Sequence, residues 1–422
     1  MAQDTNTTLL EQTFRDVELG FQKALAAAKP RTVFAKTAQN IVFQGNTEAF
    51  LRKKHAPLYK TTVIPEGSQP VARNMSNGFV SVNPVQAGGK FSHTYLASKK
   101  GANLPEMQME TVTDDLVLQV ETRARETLDS IADPAYNTIG PSLGAVSDLD
   151  NTVATHYLDL KAVNKANIAL KVRNVKGFYE TEDVTLEKKV GDITHYLPVQ
   201  EIKSVQNAPY VMITHPNALE DFMAEPTVNS NFESATPSTL LDGIIGLYRN
   251  MHFGVSTACR VSQDGTSRLA TTTTATATAT DNVLSLTSVT GLVVGDYITA
   301  TDSAGDEYMY EIGEINTNDV TISRLVRING NWQDRENNEA TTLFTDYGIG
   351  DAVRKADLVY TSYLLGGNTL MGGWHDLPFI KDVTQIAAFP DKALAWGAVF
   401  DYVPLQEFTS HRIKTTASVN II

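Results

Sequence analysis

The sequence predicts an α+β fold to which a small all-β module has been added. Three observations lead to this prediction. Helical periodicity spans residues 113–132, an apolar strand followed by His-Pro and a helix spans 210–222, and short strands separated by turn residues recur over 283–323. Mixed helices and strands indicate an α+β domain, whereas a run of short strands with regular turns indicates a β module of its own.

The length and charge of the chain exclude several classes of protein. The 422 residues are 42% hydrophobic and 20% charged, as expected for a globular protein with two or three structural units. The net charge of −13 argues against a protein that wraps nucleic acid with its whole surface. Residues 31–100 hold ten basic and two acidic residues, a net charge of +8, which leaves −21 for the rest of the chain. This asymmetry suggests head-to-tail contact between copies, with a solvated basic loop as the alternative.

Cysteine content and hydropathy bear on the compartment. Cys259 is the single cysteine, so an intrachain disulfide is excluded and a reducing cytosol fits. The first residues have no basic or apolar segment typical of a signal peptide, and no run of about 18 apolar residues predicts a membrane span.

The first hundred residues predict two extensions. Residues 8–29 have the periodicity of an amphipathic helix that Pro30 ends. Residues 50–103 predict an extended β loop, with strands at 61–64 and 78–82 and with glycine pairs such as Gly88-Gly89 as breaks. Because this loop has few large apolar residues, we expect it to lie on another surface.

Two long helices are predicted next. Residues 113–132 form the first, with Thr113 as its N-cap, Asp114 and Asp115 in its first turn and Asp133-Pro134 as its end. Its apolar face comprises Val117, Val120, Ala124, Leu128 and Ile131. Residues 148–174 form the second, with a stripe made of Val153, Tyr157, Leu160, Asn164 and Ile168.

Residues 262–330 predict an acidic, inserted module of short strands, which we interpret as Ig-like. Its least certain part is the Thr/Ala repeat at residues 271–280. We interpret this repeat as a strand with threonines on one face and alanines on the other; a disordered linker is the alternative.

Residues 203–255 carry the most specific pattern. An apolar strand at 210–213 ends in His-Pro, a helix opened by Asn217 follows, and a Gly-x-x-Gly segment leads to a strand that ends in Phe253. This order resembles the signature of tailed-phage major capsid proteins, in particular the N-four-type podophage family. Segments 344–352 and 389–397 resemble two later landmarks of that family. The chain departs from the pattern where Trp396 precedes Gly397 and where Ile244 replaces an acid.

The resemblance implies the tailed-phage major capsid protein fold. The corresponding division of the chain is an N-terminal arm (1–49), the extended β loop (50–103), a peripheral domain with a spine helix (104–146), an axial domain (147–261), the inserted module (262–330) and a return to the axial and peripheral domains (331–422).

The resemblance also implies a function. Copies of the chain would assemble through hexamers and pentamers into an icosahedral shell in the bacterial host cytoplasm. The virion would enclose double-stranded DNA without sequence-specific binding, and separate scaffolding, decoration and portal proteins would be further partners. We expect no membrane partner, no cofactor and no catalytic or metal-binding residue. The basic residues predicted to contact neighbouring copies are Arg52, Lys53, Lys54, Arg73 and Lys90.

Two other functions remain open at this point. An encapsulin-like compartment of the same fold would enclose enzymes instead of a genome. A haloacid-dehalogenase-type phosphatase is suggested by Asp148-Leu-Asp-Asn-Thr152, which matches the D-x-D-x-T nucleophile motif, although a helix start explains the same residues.

Other motifs are weaker. Gly254-Val-Ser-Thr-Ala258 lacks the last glycine of a nucleophile elbow. The eight histidines have no metal-ligand spacing, and we interpret His215 as a residue that bonds locally at a strand end. Asp302, Asp306 and Glu307 are interpreted as a hairpin turn, with calcium binding as the alternative. Lys–Asn crosslinks would require pairs such as Lys53, Lys54 or Lys90 with Asn337 or Asn338, and ordinary non-covalent assembly is the simpler expectation.

Overall fold

The computed structural model describes most of the chain. The described residues are 32–42, 48–53, 77–93, 104–140, 143–190, 193–205, 209–229, 233–234, 244–248, 251–328, 331–332, 342–382 and 392–419. The helix predicted at 8–29 and the strand predicted at 61–64 lie outside these ranges.

The described residues form an α+β fold, as predicted. The helices are α1 (Leu104–Asp129), α2 (Leu160–Val172), α3 (Pro216–Ala224) and α4 (Pro226–Asn229). The strands are β1 (Ala38–Val42), β2 (Glu48–Lys53), β3 (Asn77–Val82), β4 (Val85–His93), β5 (Asn137–Ile139), β6 (Gly177–Val190), β7 (Ile193–Val205), β8 (Tyr210–Thr214), β9 (Glu233–Ser234), β10 (Ile244–Tyr248), β11 (Met251–Val255), β12 (Val261–Ser262), β13 (Ser267–Thr272), β14 (Val283–Ser285), β15 (Tyr297–Thr301), β16 (Glu307–Asn316), β17 (Asp319–Ile328), β18 (Asn331–Trp332), β19 (Ala352–Ala356), β20 (Val359–Leu365), β21 (Leu370–Asp382), β22 (Lys392–Pro404) and β23 (Ser410–Thr415).

Sheet I is the surface on which α1 lies. Its strand order is β1-β21-β22-β4, with β1 parallel to β21 and the other pairs antiparallel. The buried face of α1 repeats at helical spacing through Val112, Leu116 and Val120, and it packs on Trp374, Trp396 and Phe400. The Trp396 indole Nε1 donates to Asp115 Oδ2 at 2.7 Å, so the polar edge of this indole also has a partner.

Sheet II lies on the other side of α1. Its order is β5-β23-β20-β8-β11-β10-β9, with β12 paired to β20. All five residues of β8 are buried because the sheet is covered on both faces. Val211 and Ile213 point toward α1, whereas Tyr210 and Met212 point toward α2 and α3, as alternation along a strand requires.

Sheet III is the all-β module. Its order is β13-β19-β15-β16-β17-β14, with β18 paired to β17, and its own core includes Leu284, Ile298 and Ile322. The glycine turns predicted between its strands are present, with positive φ at Gly291, Gly295 and Gly305. The Ig-like assignment stays a prediction.

Both predicted long helices have different bounds in the structure. α1 begins at Leu104, so Thr113 is no N-cap; its Oγ1 donates to the Met109 carbonyl inside the helix. Pro105 in the first turn was the sequence signal for the earlier start. α2 begins at Leu160, where the Asp159 side chain accepts from Ala162 N at 2.7 Å.

The predicted apolar stripe of the second helix was also wrong. Residues 148–159 form short 3₁₀ turns instead of helix, and Ile168 is 59% exposed. The buried face is made of Ala162, Val163, Ala166 and Leu170.

The module contradicts two further predictions. The repeat at 271–280 is neither one strand nor a disordered linker: β13 ends at Thr272, and single bridges join Thr273 to Leu286 and Ala277 to Tyr347. The threonines instead bond to nearby groups, as where Thr278 N donates to Asp281 Oδ2 at 2.7 Å.

The sheet of the module also reaches past residue 330, the predicted end of the insertion. Strand β19 lies between β13 and β15, and Leu343, Tyr347 and Val353 join the module core. The segment 344–352, interpreted as a landmark of the main fold, therefore belongs to the module, because its apolar side chains are buried there.

Gly88 and Gly89 lie inside β4 and do not break it. A Cβ at Gly88 would be 2.7 Å from the Trp396 carbonyl oxygen, so the missing side chain permits the close approach of β22.

The N-terminal segment is fastened to α1 by a buried carboxylate. Glu121 is 2% exposed and accepts from Phe34 N and Ala35 N, each at 2.9 Å. Burial raises the pKa of Glu121 to about 7, although these backbone hydrogen bonds and nearby Lys36 act in the opposite direction. The chain consequently enters sheet I at a position set by α1.

The raised pKa of Glu121 predicts a pH-dependent stability. The folded state holds this proton up to about pH 7, whereas the unfolded state loses it near 4.5, so the contribution is complete below pH 4.5 and is lost as the pH rises through 7. We expect the difference in unfolding free energy between the wild type and Glu121→Gln to change by about 3 kcal/mol across this window. Denaturant unfolding of unassembled subunits at several pH values measures it.

Glu110→Gln, at an exposed position of the same helix, is the matched control and should show no such change. Buried His215 and His411 titrate in the opposite sense, but they are common to all three proteins and cancel in the differences. A pH-independent difference for Glu121→Gln would contradict the prediction.

Candidate assembly surfaces

Two β-hairpins extend beyond the three large sheets. β2 pairs with β3 from Glu48↔Val82 to Lys53↔Asn77, and this pair joins no other sheet in the described residues. Val82 is fully buried against Met371 and Leu405, so the hairpin is anchored at one end. Its Lys53 end leads away from this anchor.

The second hairpin, β6–β7, has strands of 14 and 13 residues and spans roughly 45 Å. Its strand β7 lies against β1 and β21. Sequence reasoning missed this hairpin, although Gly191-Asp192 between Val190 and Ile193 is a two-residue turn signal.

The predicted contact residues fall on two elements. Arg52 and Lys53 are consecutive residues of β2. Lys90 lies exposed on β4, the edge strand of sheet I, and not on the hairpin. Lys54 and Arg73 lie outside the described residues, as do Asn337 and Asn338. The contact role of all five basic residues stays a prediction.

The end of α1 is joined to sheet II by polar contacts. Arg412 Nη1 donates to the Asp129 carbonyl at 2.9 Å, and Nη2 donates to the Ile131 carbonyl. A cation at this position satisfies carbonyls that the helix leaves unpaired and complements its dipole. Tyr363 OH donates to Asp129 Oδ1 at 2.7 Å, and Arg125 pairs with Asp129 at 2.8 Å.

The module is attached through a stem where its two chain connections meet. Gly265 N donates to the Asp357 carbonyl, and Asp357 N donates to the Thr266 carbonyl, each at 3.1 Å. Thr266 N also donates to the Leu149 carbonyl at 2.7 Å. A Cβ at Gly265 would lie 2.7 Å from both the Asp357 and the Leu149 oxygens, so this crossing requires glycine.

An arginine holds the same stem from outside. Arg268 Nη2 lies 2.9 Å from Asp150 Oδ1 and 2.8 Å from Asp357 Oδ2. Asp357 is 5% exposed and also accepts from Asn151 N at 3.2 Å. We call Asp150, Arg268 and Asp357 the stem clamp.

The module also reaches into the core of the body. Met309 and Val326 pack with Leu358 and Tyr360 beneath sheet II. Arg327, 2% exposed, enters the same region, and burial is the main cause that lowers its pKa to about 10. The module therefore contacts the body through buried side chains as well as through its two chain connections.

The D-x-D-x-T segment belongs to this stem and not to a phosphatase site. Asp148 is exposed at the end of a 3₁₀ turn, where the reaction would require the end of a buried strand. Asp150 instead accepts from Thr152 N at 2.8 Å and from Arg268. These contacts hold the pKa of Asp150 below its usual value, chiefly through Thr152.

The remaining motifs also have local structural roles. His215 caps α3 by accepting from Asn217 N at 3.3 Å, as a strand-end residue was predicted to do, and burial lowers its pKa to about 3. Ser256 Oγ accepts from Ala258 N. Asp302 Oδ1 accepts from Ala304 N and Asp306 N, which confirms a hairpin turn.

Other kinds of site are absent from the described parts of the chain. No group of three or more His, Cys, Asp or Glu side chains there could hold a metal ion, and no helix there is long and apolar enough to cross a membrane. An open groove beside α3 is lined by Pro216, Leu219, Glu220, Met223, Ala224 and Val255. Glu220 is its one ionisable residue, so it offers no acid–base pair.

The stem clamp predicts a local effect of Arg268→Ala. Loss of Arg268 leaves the buried Asp357 carboxylate without its cation, and we expect a loss of about 1 kcal/mol in unfolding free energy because Arg268 is itself partly exposed. Hydrogen exchange should accelerate at Gly265, Thr266 and Asp357. Arg324→Ala, which removes an ion pair with Glu311 within the module, is the control. Equal acceleration at the stem in both variants would refute the clamp.

The crossing at Gly265 predicts a second effect. Gly265→Ala should lower the unfolding free energy by roughly 1–3 kcal/mol because its Cβ meets two backbone oxygens that cannot rotate away. Gly144→Ala is the control, since no atom lies within 4 Å of the added Cβ. Thermal unfolding compares them, and equal melting temperatures would count against the crossing.

No protein-family model and no curated protein matches the chain. The chain is similar to the capsid of Ralstonia phage GP4, with 10% identity, a TM-score of 0.48 and coverage of 94% of this chain and 92% of that chain. The chain is also similar to the capsid of cyanophage P-SCSP1u, with 9% identity, a TM-score of 0.48 and coverage of 92% of this chain and 89% of that chain. It is similar as well to a virus-like particle from Pyrococcus furiosus, with 8% identity, a TM-score of 0.40 and coverage of 95% of this chain and 99% of that chain.

Proposed function

We propose that this chain is a major capsid protein that assembles into an icosahedral shell. The observation that carries the proposal is the β2–β3 hairpin, anchored at Val82 and separate from the large sheets of the described residues. A two-stranded hairpin is marginal by itself in water and becomes stable when it packs on another surface. A neighbouring copy supplies such a surface in a shell.

The order of elements supports the same proposal. An extended hairpin precedes a helix of 26 residues, which lies between two sheets. That order is what the resemblance to tailed-phage capsid proteins implies for an extended loop followed by a spine helix. The basic segment 31–100 on an acidic body adds charge complementarity for a head-to-tail contact, and head-to-tail contacts close into rings.

The finer assignments are part of this proposal. Hexamers and pentamers form the shell of a virion assembled in the bacterial cytoplasm, around double-stranded DNA that is not bound by sequence. The net charge of −13 supports enclosure of DNA without a firm grip on it. Scaffolding, decoration and portal functions belong to separate proteins, and the chain itself is not an enzyme.

Electron microscopy of the purified protein tests the proposal. We expect closed shells or capsomer rings, with the module as a surface protrusion. Nuclease-treated particles that retain double-stranded DNA support a virion, whereas particles that retain a protein cargo support an encapsulin-like compartment. A compact monomer at high concentration, with no assembly over a range of salt, would refute both.

The β2–β3 hairpin allows a sharper prediction. Lys53 and Asn77 are register partners, so residues 54–76 can be replaced by Asn-Gly, which closes a two-residue hairpin turn. We expect folded, soluble subunits with the wild-type melting temperature that no longer form shells, because the outer part of the loop is the part that reaches a neighbour. Sedimentation and microscopy measure this.

Two further proteins complete the experiment. Arg52→Glu with Lys53→Glu keeps the loop and reverses the charge at these two positions, and we expect it to raise the concentration needed for assembly at least tenfold. Lys381→Glu, at an exposed lysine on β21, is the control and should assemble as the wild type does. Intact shells from the shortened loop would remove the hairpin from the assembly mechanism.

A further inference from the structure

Helix α2 carries an exposed stripe that is basic in its first half and apolar in its second half. Lys161, Lys165, Ile168 and Val172 are spaced by four, three and four residues and therefore lie along one side of the helix, over about 17 Å. The opposite side, with Ala162, Val163, Ala166 and Leu170, is buried on sheet II, so the stripe is fixed outward. We call these four residues the α2 stripe.

The apolar part of the α2 stripe is unusually exposed. Ile168 is 59% exposed and Val172 is 80% exposed. A single exposed apolar side chain is common on protein surfaces, but Ile168 and Val172 are neighbours one turn apart and continue a line of two exposed lysines. β-branched residues are also poorer helix formers than the alternatives, so helix formation does not explain them.

The charge around the α2 stripe is positive although the chain is acidic. Lys171 and Arg173 extend it at the end of the helix. Asp133 lies near Arg173, and Asp159 and Glu225 accept hydrogen bonds from the first turn of α2. The pKa of buried His411 is lowered to about 4, first by burial and then by the positive charges of Arg173, Lys165 and Arg412.

We infer that the α2 stripe is a contact surface for an acidic face of a second copy of this chain. The inference rests on the proposed shell function. Charge complementarity supports it, since the chain outside residues 31–100 has a net charge of −21. Exposed acids such as Asp281, Glu314, Asp319 and Asp346 are present on the module.

A second copy fits the α2 stripe better than a nucleic acid does. Phosphate binding uses cationic and hydrogen-bonding groups, whereas Ile168 and Val172 bring no charge and no donor to a phosphate. Apolar residues at the centre of a contact with a charged rim are instead the pattern of protein interfaces. Their burial would remove from water the two most exposed apolar side chains of α2.

Two variants test the two halves of the α2 stripe. Lys161→Glu with Lys165→Glu reverses the charge of the stripe. Ile168→Gln with Val172→Gln replaces its two apolar residues by glutamine, which is a good helix former. All four positions are exposed, so we expect wild-type melting temperatures for the unassembled subunits. We expect each variant to raise the concentration required for assembly at least tenfold in light scattering, with fewer closed shells in micrographs.

Matched controls are available on the module and on sheet I. Val293→Gln with Val294→Gln changes two apolar residues of similar exposure, 64% and 58%, and Lys381→Glu changes one exposed lysine. Both should assemble as the wild type does. Wild-type shell formation together with unchanged assembly of both stripe variants would overturn this inference and leave the shell function standing.

A wild type that never assembles would remove the shell function and this inference together. Binding of a 30-base-pair DNA duplex tests the remaining alternative, in which the α2 stripe contacts nucleic acid. If the stripe variants assemble normally but bind this duplex at least tenfold more weakly than the wild type, the α2 stripe is a nucleic-acid surface and the inference is wrong.

Discussion

The buried polar side chains of α1 constrain the whole body of the protein. This helix lies between two sheets and carries Glu121, Arg125 and Asp129 into the interior. A buried charge that loses its partner costs several kcal/mol, so each must be matched by a group at a defined place. Glu121 is matched by the backbone of the N-terminal segment and Asp129 by Tyr363 of sheet II. These bonds fix both neighbours relative to α1 more narrowly than apolar packing would.

The module is held to this body in a way that suits a rigid protrusion. The stem clamp and the crossing at Gly265 act together at the stem, and the buried Arg327 acts at a second place along the junction. Separate attachments resist rotation as well as separation, which a flexible two-chain linker does not. A sequence that resembles a catalytic motif is thereby explained by attachment, because Asp150 accepts from Thr152 N and pairs with Arg268.

A packed body with two extended hairpins and an exposed charged stripe on α2 fits the proposed assembly into a shell. The body sets the positions of β2–β3, the β4 edge and α2, so weak contacts at these places can add up with consistent geometry. The surfaces also differ in character: the hairpin segment is basic, α2 is basic and apolar, and the module exposes acids. Surfaces that differ in this way favour head-to-tail contact between copies over contact between identical faces.

The sequence by itself determined the α+β class, the helix that became α1, the strand, His-Pro break and helix at 210–222, and most strands of the module. These depend on local periodicity, glycine turns and caps, which act over a few residues. The tertiary structure alone decided where the module ends, what Asp150 binds and why Gly88 lies inside a strand. Those outcomes arise from contacts between residues far apart in the chain, such as Gly265 with Leu149 and Arg268 with Asp357. No local pattern encodes such contacts, because the partner of a buried polar group depends on how distant elements pack.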